Sequence, residues 1–295
     1  MINPRTTRRS VAGIALVLLP WLVAPSRAQR AQPSQPPPSL EQLIATAHIQ
    51  RWDTLAIGER VGRFGRALEG VPYVAGTLEG PGPELCRVTT DGFDCVTFME
   101  LALDLARTVR IGHEPTAGDV TDAIAFTRYR GGRLDGYTSR LHYTSEWIAD
   151  NIAKGVLEDV TPSLGGVRFP LQVGFMSAHP QSYPALSADS ALVDSMRRIE
   201  RRINTTRRTH VPRDRVAAIE PKLRTGDLVA ITTSTTGLDY AHTGIIIRDG
   251  NGARLLHASS KNGRVTLDDR IGAYLARAPR SFTGITVLRP ILRER

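Results

Sequence analysis

The chain has 295 residues, of which 41% are hydrophobic and only two are cysteine. This length and composition predict one large core, which excludes a small disulfide-stapled scaffold and a disordered chain. The formal charge of +9 includes four arginines in the first 28 residues, and the remaining +5 is only moderately basic.

The first 28 residues are predicted to be a secretory signal peptide. Three arginines precede an apolar run over residues 11–23, and Ser26-Arg-Ala28 forms a small-x-small cleavage site. The run is too short for a stable transmembrane helix, so no membrane anchor is expected after cleavage. The Arg8-Arg9 pair also fits twin-arginine export. We expect a monomer in the periplasm or outside the cell. We expect no binding to nucleic acid, whereas the positive charge would attract an anionic polymer of the cell envelope.

A Pro/Gln-rich spacer over residues 29–38 leads into one domain over residues 39–295. Periodicity and capping residues predict helices over Ser39–Gln50, Thr54–Glu69, Thr116–Tyr129 and Ser145–Lys154, and from Ser187 onward. Strands are predicted over Val167–Val173, Asp227–Thr233, Ile245–Arg248, Arg254–Ala258 and Arg264–Leu267. Early helices followed by a late antiparallel sheet indicate the α+β class.

Cys95 is predicted to lie in the first turn of a further helix. Apolar residues recur at helical spacing after it, and Asp94 is a favoured N-cap. At this position free N–H groups and the helix dipole stabilise a thiolate, which is the attacking species. A neighbouring histidine would lower the thiol pKa further, so Cys95 is a candidate nucleophile.

His242 and His257 are predicted to lie on the two strands of one hairpin. A tight turn around Gly250-Asn251 would pair the strands antiparallel and make the two histidines diagonal neighbours. Because side chains alternate with period two, both rings should share one face of the sheet. Diagonal neighbours are close enough for a hydrogen bond, so one imidazole could orient the other.

The second cysteine, Cys86, raises the question of whether Cys95 is a free thiol or part of a disulfide. In an oxidising compartment, two cysteines can form a disulfide. A bridge to Cys86 would block the thiol at the helix start, so we expect Cys95 to be free.

Five motifs resemble the N-acetylmuramoyl-L-alanine amidase-like family of the NlpC-type, papain-like cell-wall hydrolases. They occur in order between about Ala67 and Pro290, and comprise Val71-Pro-Tyr-Val-Ala-Gly-Thr-Leu-Glu79, Phe93-Asp-Cys-Val-Thr-Phe98, Tyr137-Thr-Ser-Arg-Leu-His-Tyr143, Gly237-Leu-Asp-Tyr-Ala-His-Thr-Gly244 and Leu256-His-Ala-Ser-Ser260. The resemblance implies a papain-like fold in which a helical N-terminal part carries the nucleophile and packs on a late antiparallel sheet carrying the histidines.

The resemblance also implies residue roles. Cys95 would be the nucleophile, His242 the general base and acid, and His257 the residue that orients His242. The substrate would be peptidoglycan or a muropeptide, cut between N-acetylmuramic acid and L-alanine without a cofactor or a metal ion.

Five further residues are candidates for substrate binding, each with a structural alternative. They are Tyr73, Glu79, Arg140, His142 and Asp239. Tyr73 could be a core aromatic residue, the Arg140 and His142 pair could be structural, and Asp239 could make a turn hydrogen bond instead.

Three alternative functions remain open at this point. NlpC relatives cut the D-γ-glutamyl bond of the stem peptide, and residue chemistry cannot choose between the two amides. A zinc amidase would need spaced His or carboxylate ligands, which only the hairpin offers. An inactive wall-binding module would have no need of a cysteine together with two histidines.

Overall fold

The computed structural model of the chain describes residues 36–170 and 172–292. The predicted signal peptide and most of the predicted spacer lie outside these ranges. Among the described residues, no helix combines the length and apolar character needed to cross a membrane.

Ten α-helices are present among the described residues. In chain order, α1 to α10 are Leu40–Ile49, Ile57–Ala67, Cys95–Thr108, Ala117–Arg128, Thr144–Ala153, Phe175–Ala178, Pro184–Ala188, Ser190–Asn204, Val216–Ile219 and Ile271–Arg277. The predicted capping box at Ser39 is present, since its hydroxyl accepts from the Gln42 N–H at 3.2 Å and the Gln42 side chain accepts from the Ser39 N–H at 2.8 Å. Local sequence therefore sets the start of α1.

The strands form one antiparallel sheet. In chain order, β1 to β8 are Leu157–Asp159, Val167–Arg168, Thr209–Pro212, Leu228–Thr233, Tyr240–Asp249, Gly252–Ser259, Arg264–Arg270 and Phe282–Pro290. The sheet order is β2-β3-β8-β4-β5-β6-β7, and β1 also pairs with β8. This arrangement confirms the predicted α+β class.

Two apolar cores cover the two faces of the sheet. On one face, α2 and α3 pack with Ile245, Leu256 and Ala258. On the other face, α9 and α10 pack with Ile246 and Leu255. Because neighbouring strand residues alternate between the cores, each position of β5 and β6 is assigned to one face.

Several predicted elements differ from the structure. The helix expected over Thr54–Glu69 begins only at Ile57, after a 3₁₀ turn over Trp52–Thr54. The helix expected from Ser187 begins at Ser190. The strand expected over Val167–Val173 contains only Val167–Arg168, and Pro170 follows, which has no N–H for a strand ladder.

Strands β1, β3 and β8 were not predicted. In β8, the β-branched residues Ile285, Thr286 and Val287 are all buried, so the strand has no alternation of buried and exposed positions there.

Candidate active site

Cys95 is the first residue of α3, as the sequence predicted. The Asp94 carboxylate caps the helix by accepting hydrogen bonds from the N–H groups of Val96 at 3.0 Å and Thr97 at 2.8 Å. The Thr97 hydroxyl in turn accepts from the Asp94 N–H at 3.0 Å, which completes a capping box. These bonds fix the backbone on both sides of the thiol.

Thr243 joins the start of α3 to β5. Its hydroxyl donates a 2.7 Å hydrogen bond to the main-chain oxygen of Cys95. The N–H of Thr243 also favours the thiolate form as a hydrogen-bond donor. The sulfur of Cys95 therefore lies beside Thr243.

The two hairpin histidines share a short hydrogen bond. Strands β5 and β6 pair Ile245 with Leu256 and Asp249 with Gly252, the register that the sequence predicted. His242 Nε2 lies 2.5 Å from His257 Nδ1, and the ring planes are nearly perpendicular at 87°. One imidazole can therefore orient the other.

The His257 ring lies on the face of the sheet that α10 covers. Its neighbours Leu256 and Ala258 belong to the opposite core, and its ring centroid is 5.3 Å from that of Tyr274 on α10. Burial, the charge of Asp268 and then a charge on Cys95 raise the pKa of Tyr274 to about 12. Tyr274, which the sequence analysis missed, is thus close to both the thiol and the histidine pair.

Burial keeps the thiol and the imidazoles neutral. It raises the pKa of Cys95 to about 11, and the charge of Asp94 adds to the effect. Burial also lowers the pKa of His242 to about 3, with a contribution from His257. The expected lowering of the thiol pKa is therefore wrong for the free protein, because desolvation outweighs the hydrogen-bond donors at the helix start.

Tyr73 lies beside the nucleophile. Its backbone forms a parallel bridge with Phe93, two residues before Cys95, and its N–H donates to the oxygen of Gly263 at 2.9 Å. Burial and then the charges of Cys95 and Asp94 raise the pKa of Tyr73 to about 12. Tyr73 is therefore a neutral hydroxyl close to the thiol.

A second polar cluster contains Glu79, Arg140 and His142. The Arg140 guanidinium contacts Glu79 at 2.6 Å and Glu84 at 3.1 Å, and it lies 5.0 Å from the centre of the Tyr137 ring. The His142 ring contacts the Tyr137 main-chain oxygen at 2.9 Å, and burial lowers the pKa of His142 to about 3. The Arg140 side chain is only 7% exposed, whereas that of Glu79 is 33% exposed. Glu79 is therefore the more accessible of this pair.

Asp239 is not placed to bind substrate. Its residue is 4% exposed, and its two carboxylate oxygens accept hydrogen bonds from the N–H groups of Ser145 at 2.7 Å and Tyr240 at 2.9 Å. These bonds link the start of α5 to the start of β5. The structural interpretation of Asp239 is therefore the one that the contacts support.

The two cysteines are free, which agrees with the expectation for Cys95. The sulfur of Cys86 lies 3.9 Å from Arg128 Nη1 and 3.8 Å from the main-chain oxygen of Thr121. Burial raises the pKa of the Cys86 thiol. Cys86 thus belongs to the packing around α4, whereas Cys95 lies at the β5 strand.

Metal-binding geometry is absent from residues 36–170 and 172–292, where no three side chains of His, Cys, Asp or Glu converge on one point. The acidic neighbour of the histidine pair is a single carboxylate, Asp268, whose Oδ2 lies 3.6 Å from His257 Nε2. Asp268 was not a candidate because the predicted strand ended at Leu267, one residue before it, whereas β7 continues to Arg270.

Comparison with known proteins defines the class to which this fold and site belong. The chain matches the family model "AmiA-like: N-acetylmuramoyl-L-alanine amidase-like" over residues 63–285. The chain therefore belongs to this amidase-like family, a family of peptidoglycan hydrolases. No protein with a curated functional description matches it in sequence.

Solved structures agree with the family. An N-acetylmuramoyl-L-alanine amidase from Bacteroides uniformis is 35% identical, with a TM-score of 0.76 over 80% of this chain and 99% of that one. A Bacteroides fragilis protein with the provisional name of xylanase is 38% identical, with a TM-score of 0.73 over 77% and 99%. A Legionella pneumophila protein at 20% identity shares the fold, with a TM-score of 0.64 over 85% and 93%.

Proposed function

We propose that this chain is an exported cysteine hydrolase that cuts the amide between N-acetylmuramic acid and L-alanine in peptidoglycan fragments. Membership of the amidase-like family supports the bond type. The observation that carries the residue assignment is the 2.5 Å bond between His242 and His257, adjacent along β5 to the Thr243 that holds Cys95. A nucleophile that opens a helix and histidines on an antiparallel sheet also support a papain-like, NlpC-type assignment.

In this mechanism Cys95 Sγ attacks the amide carbonyl while its proton passes to His242. The carbonyl π electrons move to oxygen and form a tetrahedral oxyanion. When the C–N bond breaks, His242 returns the proton to the departing amine of L-alanine, leaving a thioester. Water, deprotonated by His242, then attacks the thioester and releases the muramic acid carboxylate and the free thiol.

The neutral resting state determines when the proton moves. Burial raises the pKa of Cys95 to about 11 and lowers that of His242 to about 3, which disfavours a thiolate–imidazolium pair in the free protein. We propose that substrate binding and proton transfer generate the nucleophile together. His257 stabilises the charge that His242 acquires, since it is hydrogen bonded to it.

The oxyanion would be bound at the start of α3. The Asp94 carboxylate accepts from the N–H groups of Val96 and Thr97 but not from that of Cys95. The cap therefore leaves the Cys95 N–H as a donor at the start of the helix. A backbone donor at this position can stabilise developing negative charge.

Tyr73 and Glu79 are the proposed substrate contacts. Tyr73 is a neutral hydroxyl beside the thiol and can bind a polar group next to the scissile amide. Glu79 is half-buried, and its Oε1 is held by Arg140 at 2.6 Å, which leaves its other oxygen for an N–H group of the peptide. Arg140 and His142 would then support Glu79 and Tyr137 rather than contact the substrate.

Defined muropeptides test the scissile bond. Wild type, Cys95→Ala and the control Cys86→Ser are incubated with a muramoyl tripeptide, and the products are identified by mass spectrometry. We expect a free peptide beginning with L-alanine from wild type and Cys86→Ser, and none from Cys95→Ala. A muramoyl dipeptide product would instead establish D-γ-glutamyl cleavage. Chelator-sensitive cleavage that survives in Cys95→Ala would establish a zinc amidase, and an inactive wild type would indicate a binding module.

Histidine variants test the division of roles. His242→Ala should abolish turnover, whereas His257→Ala should retain a measurable fraction, because it removes only the orienting group. Equal losses in both histidine variants would contradict the assignment of His242 as the base.

Xylan oligosaccharides serve as a negative control substrate, because a glycosidase would act through two carboxylates instead of a cysteine and histidines.

Export is tested on the protein recovered from cells. N-terminal sequencing of the secreted or periplasmic form should begin at Gln29, after the predicted cleavage site. A protein that retains residues 1–28 would contradict the signal peptide.

A further inference from the structure

The second ring nitrogen of His257 is an unsatisfied buried group. His257 is 2% exposed, and its Nε2 makes no hydrogen bond with the described residues. The carboxylate of Asp268 lies in front of it, with Oδ2 at 3.6 Å from Nε2. Buried polar atoms without partners are uncommon, and such catalytic contacts often shorten when the substrate binds.

A β-bulge brings Asp268 to this position. Leu256 pairs with Leu267, but Arg254 pairs with Arg270, so β7 uses three residue steps where β6 uses two. The extra residue falls in the segment that contains Asp268. Bulges change the direction of side chains and are frequent next to active sites. The bulge in β7 therefore accounts for the direction of the Asp268 carboxylate toward His257.

The backbone of the bulge is held from the neighbouring strand. Arg254 Nε donates to the main-chain oxygen of Asp268 at 2.9 Å, and Nη2 donates to that of Leu267 at 3.2 Å. On the other side of the carboxylate, Arg277 Nη2 lies 3.6 Å from Asp268 Oδ1. The N–H of Asp269 donates to the same Oδ1 at 2.7 Å, so this bond holds the carboxylate with its other oxygen toward His257.

We propose that Asp268 is a positioning residue that selects the productive tautomer of the histidine pair. The proposal rests on the proposed function, since it concerns how His242 becomes a base for Cys95. Asp268, His257 and His242 would form one directed chain of hydrogen bonds that ends at the thiol.

The direction follows from the donors and acceptors. A carboxylate only accepts, so it favours the His257 tautomer with hydrogen on Nε2 and a lone pair on Nδ1. The lone pair of His257 Nδ1 must then accept from His242 Nε2, with which it shares the 2.5 Å bond. This leaves the lone pair of His242 on Nδ1, where it can take the thiol proton. The reverse tautomer of His257 would put hydrogen on His242 Nδ1 and block the base.

The charges around the pair set the expected pH effect. Asp268 on β7 and Tyr274 on α10 both face His257, and Arg277 lies on the far side of Asp268. A charge on Cys95 acts on Tyr274. Asp268 is the charged group that raises the pKa of His257 against the larger effect of burial. Removing its charge should therefore shift the acid limb of kcat/KM to lower pH, because a proton on His257, which is hydrogen bonded to the base His242, becomes less stable.

Kinetics of three variants test the proposal. Asp268→Asn can offer its amide N–H to His257 Nε2 and so favours the blocked tautomer, whereas Asp268→Ala leaves the tautomer free. We expect kcat to fall by about 100-fold or more in Asp268→Asn, with less loss in Asp268→Ala and little change in KM. The control Asp269→Asn removes an exposed charge that pairs with the same Arg277 at 2.9 Å, and should keep wild-type activity. A larger loss in Ala than in Asn would indicate a merely structural role and overturn the proposal.

Nitrogen NMR of ¹⁵N-histidine-labelled protein tests the tautomer without turnover. Wild type should show His257 with a protonated Nε2 and an unprotonated Nδ1, and Asp268→Asn should reverse these assignments. An unchanged tautomer in Asp268→Asn would overturn the proposal even if the protein proves to be a cysteine amidase. Activity retained in Cys95→Ala would overturn the proposed function instead, while the NMR result would still decide the role of Asp268.

Discussion

Thr243 and Cys95 are joined by a 2.7 Å hydrogen bond from the threonine hydroxyl to the cysteine main-chain oxygen. The residue before Thr243 is His242, so one position of β5 sets the distance between the nucleophile helix and the proposed base. The bond joins residues 148 apart in sequence, so it forms only when α3 and β5 come together in the folded domain.

Thr243→Val should test this connection. Valine keeps the shape but removes the donor, which leaves the part-buried Cys95 carbonyl only its bond within α3 and costs about 1 kcal/mol. We expect kcat to fall by about 10–100-fold, because even a small displacement of the reacting groups slows the chemical step. Thr286→Val removes a comparable 2.8 Å bond to the Thr209 oxygen, together with a 3.0 Å bond to the Tyr240 hydroxyl, elsewhere in the sheet. An equal loss of activity in both variants would show a general stability effect rather than alignment of the site.

Asp94→Asn should lower the pKa of Cys95. Asparagine is also a good N-cap, so the helix start is retained while the negative charge that opposes thiolate formation disappears. The thiol pKa should fall below its present value of about 11, as measured by the pH dependence of iodoacetamide alkylation in a Cys86→Ser background. Asp91→Asn changes an exposed carboxylate three residues earlier and should leave the profile in place. An unchanged or higher thiol pKa in Asp94→Asn would contradict the assigned role of this charge.

Gly244→Ala should displace His257. A methyl group at Gly244 would lie 2.7 Å from Leu255 Cδ1, 2.9 Å from the Leu256 oxygen and 3.2 Å from His257 Cβ. Overpacking of this kind costs about 1–3 kcal/mol, and here the strain falls on the strand that carries the orienting histidine. We expect reduced turnover together with a lower Tm. Gly250→Ala in the same hairpin meets no atom within 4 Å and serves as the control. Wild-type activity in Gly244→Ala would show that β6 adapts without moving the ring.

The stability of Asp104→Asn relative to wild type should increase as pH rises. Burial raises the pKa of Asp104 to about 6 from its ordinary value of 3.8, despite the ion pair with Arg107. A raised folded pKa means that stability from the neutral acid is present below about pH 4 and is lost as pH rises through about 6. The free energy of unfolding of Asp104→Asn relative to wild type should therefore increase by on the order of 2 kcal/mol between pH 4 and pH 7 in urea titrations.

Asp119→Asn is the control for this pH dependence. Hydrogen bonds from Thr116 lower the pKa of the exposed Asp119 carboxyl. The stability of Asp119→Asn relative to wild type should therefore decrease as pH rises, and this change should occur below about pH 4. A flat difference for Asp104→Asn over pH 4–7 would contradict the raised pKa of Asp104.

Local patterns predicted the parts of the site that depend on neighbouring residues. The capping residue Asp94 placed Cys95 in the first turn of α3, and the turn around Gly250-Asn251 set the register that brings His242 to His257. These features depend on backbone geometry within a few residues. Sequence alone is therefore informative about them.

Properties that depend on the assembled fold were not predictable. The raised pKa of Cys95 results from burial by distant elements, which no local motif records. Asp268 reaches His257 only because β7 is bulged, and Tyr274 only because α10 covers that face of the sheet. Asp239 fits a polar turn motif, but its oxygens bond to backbone donors on α5 and β5.

The position of β8 constrains how the chain can reach its native state. The last strand lies between β3 and β4 and also pairs with β1, so it joins two groups of strands that otherwise have no shared ladder. A nascent chain ending before Phe282 would leave β4 without its β8 partner, exposing the backbone of β4 to pairing with other chains. The two groups of strands can therefore join into one sheet only after residues 282–290 have been made, whereas α3 can already pack on β5 and β6 before that point.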